Sequence, residues 1–376
     1  MKLKKLKHEE CILAKKREDK LNRRKRIKLG KVSRKKQKKN KQTFNNNYIS
    51  FPEKFCIYYD QSYRHKGKEY YDQKKFIKTM GVIEKIKKFV PKDLNDTLKL
   101  NFSLCERISA AALLLLYNAI ESFTKEYNRK VIIYRLPRDT HASHLLKRSG
   151  FIKICNLQEN VADFSLDKVP IITGIGGEYR DKIVDFIQNK IYGNNMSSET
   201  EWSFGDAIQE TFANVTRHAY PNEENEEDKR WWLICDLYGD DLNLAIYDSG
   251  IGIPNTVVEN KWFNKILKVS APKLKIQKSI LNEIINSTNI NKVSLNKLTE
   301  WHKIFIAMQP DASSTKELKH GQGSKSIKAL VEKNNGKLTV YSNKGLYFTK
   351  DGSSNGRDLE HSIFGTLIQW NIKVAK

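Results

Sequence analysis

The chain has no C-x-x-C pair. Its five cysteines, Cys11, Cys56, Cys105, Cys155 and Cys235, are scattered and odd in number. That argues against a thiolate zinc site and a disulfide framework, and predicts a reducing, cytoplasmic setting. Long apolar runs are missing too. The longest, residues 108–120, is 13 residues with Ser109 and Asn118 inside it, well short of the roughly 20 that cross a bilayer. A basic start without an apolar core or a small-residue cleavage site predicts no secretory leader. Acidic residues are scarce at one end: residues 1–45 hold 20 Lys/Arg against 4 Asp/Glu, which places +16 of the total +25 there.

The runs Arg23-Arg24-Lys25-Arg26 and Lys35-Lys36-Gln37-Lys38-Lys39 repel themselves too strongly to fold unaided, so residues 1–46 read as a disordered basic arm. Such an arm suits nucleic acid or another polyanion, bound in a salt-dependent way largely blind to sequence. Phe44 is its one aromatic, which leaves little base stacking. A solvated tail is the alternative.

The 376 residues leave room for two domains. In residues 47–160, strands predicted at 55–59, 98–102 and 130–134 alternate with helices at 76–90, 108–127 and 141–149. The 130–134 strand is expected to be buried, and the 141–149 helix to end at Gly150. This pattern gives a small α/β sheet domain. The strand ending in Asn101-Phe102-Ser103, the small-residue helix after it and Leu145-Leu146-Lys147-Arg148-Ser149-Gly150-Phe151 resemble the STAS-like domains that bind regulatory partners. An unrelated small α/β domain is the alternative. His141 and His144 have no further metal ligands nearby in sequence and read as surface or cap histidines. Residues 161–195 read as a linker, with Thr173-Gly174-Ile175-Gly176-Gly177 as a hinge before a helix at 178–192.

Residues 202–220 have helical periodicity, with Phe204, Ala207, Ile208, Thr211, Phe212 and Val215 forming one buried stripe. Glu210, Asn214 and His218 are spaced by four and are predicted to share a face. There a carboxylate can orient or deprotonate a nucleophile while an amide oxygen ligates Mg²⁺. A solvent-facing polar stripe is the plain alternative. Strands at 231–238 and 242–247, joined by Gly239-Asp240-Asp241, deliver Asp248 into the turn Asp248-Ser249-Gly250-Ile251-Gly252-Ile253-Pro254. A carboxylate just past a strand end can accept the adenine amino proton. Gly250 and Gly252 remove side chains where a purine would lie against backbone.

Residues 255–320 are long and polar, with helical pieces at 262–269 and 276–286, and suit a mobile lid. Ser313-Ser314-Thr315-Lys316 and His320-Gly321-Gln322-Gly323 then open a helix at 324–333, whose first amides can hold a triphosphate. Gly323-Ser324-Lys325-Ser326 looks like a P-loop but lacks the glycine before its lysine. A strand at 337–342 and another from Gly365-Thr366 follow, and Thr366 can support adenine through a water.

These four blocks resemble the N, G1, G2 and G3 boxes of the GHKL (Bergerat-fold) ATPases. That superfamily includes gyrase-type topoisomerases, heat-shock chaperones, mismatch-repair ATPases and histidine kinases. The likeness covers residues 195–376, about half the chain. It implies Glu210 as general base, Asn214 as Mg²⁺ ligand and Asp248 as the adenine-binding acid. Gly250, Gly252 and Ile253 would line the adenine pocket; Gly321, Gly323 and Ser324 would form the phosphate lid, and Thr366 would be the G3 threonine. The Glu-x-x-x-Asn form is closer to ATP hydrolases and anti-sigma serine kinases than to histidine kinases. Ser324 stands where the G2 box often has Leu. The terminal-phosphate lysine of gyrase-type enzymes comes from a separate domain not recognisable here, with Lys316 and Lys325 as substitutes.

The expected fold is therefore α/β (α+β): a disordered arm (1–46), a STAS-like domain (47–160), a linker (161–195) and a GHKL-type domain (196–376). The last is expected as a two-layer sandwich, with helices on one face of a mixed sheet. The expected function is a Mg²⁺-ATP-binding switch with slow ATPase activity. It would regulate a protein partner or a nucleic-acid-associated system, bacterial defence included. A second copy of the chain is a further expected partner, and no membrane is. Two alternatives stand: a serine/threonine kinase of the anti-sigma type, and a non-catalytic nucleic-acid-binding protein with a relic pocket.

Overall fold

Two α/β layers share the chain, and the computed structural model describes residues 48–58, 63–65, 68–70, 73–93, 96–165, 171–259, 298–309 and 322–374, with Leu267, Lys268, Ser270 and Asn282. Strands β1 (Tyr48–Ser50), β2 (Lys54–Phe55), β3 (Tyr63–His65) and β4 (Lys68–Tyr70) lead into helix α1 (Lys74–Lys87). Then come β5 (Lys99–Asn101), β6 (Arg107–Ile108), α2 (Ala110–Tyr127), β7 (Ile132–Arg135), α3 (Thr140–Arg148) and α4 (Phe151–Cys155). β1, β5 and β7 form a parallel sheet in the order β1-β5-β7, and β2 pairs parallel with β6. The α2 helix starts where the Ser109 hydroxyl accepts the Ala112 N–H at 3.3 Å. It is apolar almost all round, as a helix enclosed on every side must be. The expected buried strand at 130–134 is instead an edge strand: Val131 is buried, but Ile132 and Tyr134 are 45 % and 52 % exposed. Among the described residues β7 has a neighbour on one side only.

The second half contains β8 (Ile172–Ile175), α5 (Arg180–Phe186), α6 (Ser198–Asn214), β9 (Arg230–Tyr238) and β10 (Asp241–Asp248). After these come α7 (Ile253–Thr256), α8 (Glu300–Ala307), α9 (Gln322–Lys333), β11 (Lys337–Ser342), β12 (Gly345–Lys350), β13 (Ser353–Asp358) and β14 (Thr366–Lys373). Seven strands line up as β13-β12-β11-β14-β10-β9-β8, with every pair antiparallel. The expected mixed sheet is thus corrected: the parallel pairs all lie in the N-terminal layer. The stretch read as a linker supplies β8, one of the sheet's two edge strands, and its glycine turn is anchored there. Trp231 Nε1 donates to the Gly176 carbonyl at 3.0 Å, and a Cβ on Gly174 would come within 2.6 Å of the Trp231 ring.

The strands are apolar on both faces because both faces are covered. Leu244 and Ile246 of β10 and Trp370 of β14 share a core with Phe204, Ile208 and Phe212 of α6 and Leu330 of α9. The alternate residues Trp232, Tyr247, Tyr341 and Leu367 belong to a second core with Leu113, Leu116 and Ile120 of α2. The C-terminal helices take one side, as expected, and the N-terminal layer takes the other. Residues 48–376 accordingly cluster as one unit. Among the described residues no helix is long and apolar enough to cross a membrane. The predicted helical pieces at 262–269 and 276–286 lie outside the described residues, apart from Leu267, Lys268 and Asn282.

Candidate functional site

The antiparallel register of the sheet sets Asp248, the last residue of β10, opposite Thr366, the first of β14. Asp248 is buried, yet it is a carboxyl. Its Oδ1 accepts the Gly250 N–H at 3.0 Å. Burial pushes the carboxyl up to about 7, while hydrogen bonds from the Gly250 amide and from the Thr366 amide and hydroxyl act to lower it. An acid held this way at a strand end suits a ligand that brings its own hydrogen-bond donor.

The turn after Asp248 is pinned from three sides. Ile251 N–H donates to the Ala219 carbonyl at 2.8 Å, and the Ile251 carbonyl accepts from Asn343 Nδ2 at 2.8 Å. The Tyr220 hydroxyl accepts the Ser249 N–H at 3.0 Å and donates to the Arg230 carbonyl at 2.8 Å. Gly250 sits so close to Ala219 that a Cβ would lie 2.2 Å from its carbonyl oxygen. Gly252 has φ +83, where glycine is at ease and other residues are not. Ile253 offers its amide to Ser342 Oγ at 2.9 Å, and Ser342 Oγ stands 3.0 Å from Thr366 Oγ1. Sequence reasoning missed Ser342, Asn343 and Tyr220. Only the position of Ser342 at the end of a predicted strand hinted at a role.

Glu210 and Asn214 close α6, which starts at Ser197, whose hydroxyl accepts the Thr200 N–H at 3.2 Å. Stacking of Phe212 on Trp231, with centroids 4.0 Å apart, fixes the helix against β9. Both Glu210 and Asn214 are half-buried. Burial raises the Glu210 carboxyl, and Arg217 acts in the opposite sense. His218 lies four residues further on, in the π-helical turn Val215–Ala219, and is exposed where Glu210 and Asn214 are half-buried. The same turn presents Ala219 to Ile251, so the end of α6 and the glycine turn are joined through one residue.

Helix α9 packs along α6. Gly323 lies in its first turn, and the buried Ser324 donates its hydroxyl to the Gln309 carbonyl at 3.2 Å. That bond ties the helix start to the segment after α8, which sequence reasoning did not find. Its apolar Ile304, Phe305 and Met308 were the available signal. Lys325 is exposed. Gly321, His320 and Lys316 lie outside the described residues.

The donor set fits an adenine nucleotide with Mg²⁺ in kind. Asp248 is a buried acceptor, and Asn214 and Glu210 are oxygen donors of the sort Mg²⁺ takes one or two at a time beside phosphates and water. Among the described residues no group of three or more His, Cys, Asp and Glu is placed to hold a metal unaided. Two cavities open elsewhere. One of about 430 Å³ lies between Phe164 and Lys182, Asp185 and Asn189, and one of about 220 Å³ is lined by His141, His144, Arg148 and Asp236.

No family model matches this chain. A stretch of 116 residues is 31 % identical to Caffeine-induced protein 16 of Schizosaccharomyces pombe, covering 31 % of this chain and 10 % of that protein. The chain thus matches about a tenth of that relative's length, too little to carry over a family or an activity.

Proposed function

We propose that this chain binds Mg²⁺-ATP in the corner between β10, β14 and α6, as a GHKL-type switch that turns ATP over slowly. The observation that carries the reading is the buried Asp248 carboxyl, set against Thr366 and Gly250 at a strand end. Asp248 would accept the adenine amino proton. Gly252 and Ile253 would bound the base, and Asn214 would supply one oxygen to the metal. Glu210, raised by burial, would take the proton of the attacking water. The bound metal would supply charge neutralisation of the phosphates. Gly323 and Ser324 begin the helix whose N-terminus would face those phosphates, with Gly321 just before it.

Among the described residues the buried Cys56, Cys105, Cys155 and Cys235 are in no disulfide, which supports a cytoplasmic setting. Residues 1–46 are proposed to bind a polyanion, with protein partners and a second copy of the chain as further proposed contacts. Calorimetric titration of Mg²⁺-ATP into wild type and Asp248→Asn tests the pocket: equal binding would overturn it. With γ-labelled ATP, free phosphate supports hydrolysis, and label retained on protein supports serine/threonine kinase activity instead.

A further inference from the structure

Thr366 is held in place by a bend that the N-terminal layer clasps. Residues 359–365 lead from β13 into β14. Leu359 and Ile363 are buried in the core shared with α2. Between them and Thr366 the backbone makes two turns into positive φ. Phe364, which is not glycine, has φ +58, and Gly365 has φ +131. Gly365 passes so close to β10 that a Cβ would lie 2.0 Å from the Asp248 carbonyl oxygen. A non-glycine residue in the left-handed region persists only where its surroundings hold it.

Those surroundings come from two directions. From the sheet, the Tyr247 hydroxyl donates to the Phe364 carbonyl at 2.6 Å, and the Asn343 N–H donates to the Gly365 carbonyl at 2.9 Å. From the N-terminal layer, two side chains of α1 reach over. Glu84 Oε1 meets His361 Nδ1 at 2.8 Å, with both side chains mostly covered, and Lys87 Nζ lies 4.8 Å above the Phe364 ring. One contact joins two polar groups and the other sets a charge over a ring, and both fall on the one loop that delivers Thr366 to Asp248. A layer serving only as apolar cover would not need them.

We infer that Glu84, Lys87, His361 and Phe364 are positioning residues for the nucleotide corner, through which α1 sets how tightly adenine is held. The inference rests on the ATP reading above. If it holds, whatever moves α1 changes ATP affinity, and ATP changes the affinity of that agent by the same factor.

The test compares Glu84→Gln, His361→Gln, Lys87→Met and the exchange Glu84→His/His361→Glu in the full chain. The measurements are the Kd for Mg²⁺-ATP and Mg²⁺-GTP, turnover at saturating ATP, and the thermal midpoint. The single variants should weaken ATP binding on the order of tenfold and narrow the ATP-over-GTP preference. Saturated turnover and thermal midpoint should stay near wild type, and the exchange should recover part of the lost affinity. ATP affinity unchanged in all of them, with Asp248→Asn abolishing binding, would overturn this inference and leave the pocket standing. Loss of affinity only in step with loss of thermal stability would also overturn it. Wild-type binding by Asp248→Asn would overturn the reading beneath and the inference together.

Discussion

Trp232 on β9 donates its indole N–H to Glu121 of α2 at 2.8 Å, inside the contact between the large sheet and the N-terminal layer. The same carboxylate meets Lys125 at 3.1 Å, but that lysine is half-exposed and the pair contributes little. Glu121→Ala strands a buried donor, which costs about 1–3 kcal/mol. Urea unfolding should show a lower midpoint in one transition, with tryptophan fluorescence and circular dichroism coinciding. Separate transitions for the two probes would show that the layers fold independently.

The pH dependence of the nucleotide-free protein follows from Asp248. Its carboxyl stands at about 7 when folded, against about 3.9 in an unfolded chain. Between those values the folded state keeps a proton that the unfolded state has released. The Asp248 contribution to stability therefore falls as pH rises from about 4 to about 7, and is flat above. Adenine needs the ionised carboxylate as acceptor, so ATP affinity should rise with pH through the same window and binding should release a proton. Calorimetry in buffers of different ionisation enthalpy reads that proton. Well above pH 7, where the Asp248 carboxyl is already ionised, the buffer dependence should vanish; if it persists there, another group is titrating.

Glu210→Gln keeps the shape of the side chain and removes its basicity. Mg²⁺-ATP should bind with near wild-type affinity while turnover drops on the order of 10²–10⁴-fold. A phosphate-release assay beside an equilibrium titration separates the two effects. Parallel losses in both would mean that Glu210 holds the ligand and does not act on water.

Gly365→Ala places a methyl group against the Asp248 carbonyl oxygen and forces an unfavourable φ. Strain alone costs about 1–3 kcal/mol, and the steric clash adds to it. Gly176→Ala is the natural control, since Gly176 also has positive φ but nothing lies within 4 Å of an added Cβ. Chemical denaturation should rank Gly365→Ala as clearly the more damaging.

Much of this was legible in the sequence. The apolar runs of β9 and β10 and the apolar α2 set the α/β character, and the glycines around Asp248 marked the turn. The run Trp231-Trp232-Leu233-Ile234-Cys235 is buried throughout, although the expectation set helices on one face of the sheet and named no cover for the other. Strand β13 was missed because Ser353–Asp358 is a polar edge strand without an alternating face; β12 was missed despite its apolar Leu346, Tyr347 and Phe348. The π-helical turn at Val215–Ala219 was invisible too, since one wider helical turn leaves no mark on a spacing of four. Long-range partners such as Ser342, Asn343, Glu84 and His361 depend on tertiary approach, which no local pattern encodes.

Strands β10 and β14 are neighbours inside the seven-stranded sheet, flanked on both sides and covered on both faces. Amides placed so exchange chiefly through opening of the whole unit. A ligand seated on Asp248 and Thr366 is joined to those two strands, so its binding energy is added to the global opening reaction. Its imprint in hydrogen exchange would spread along the slowest amides of the molecule, far from the place where it sits.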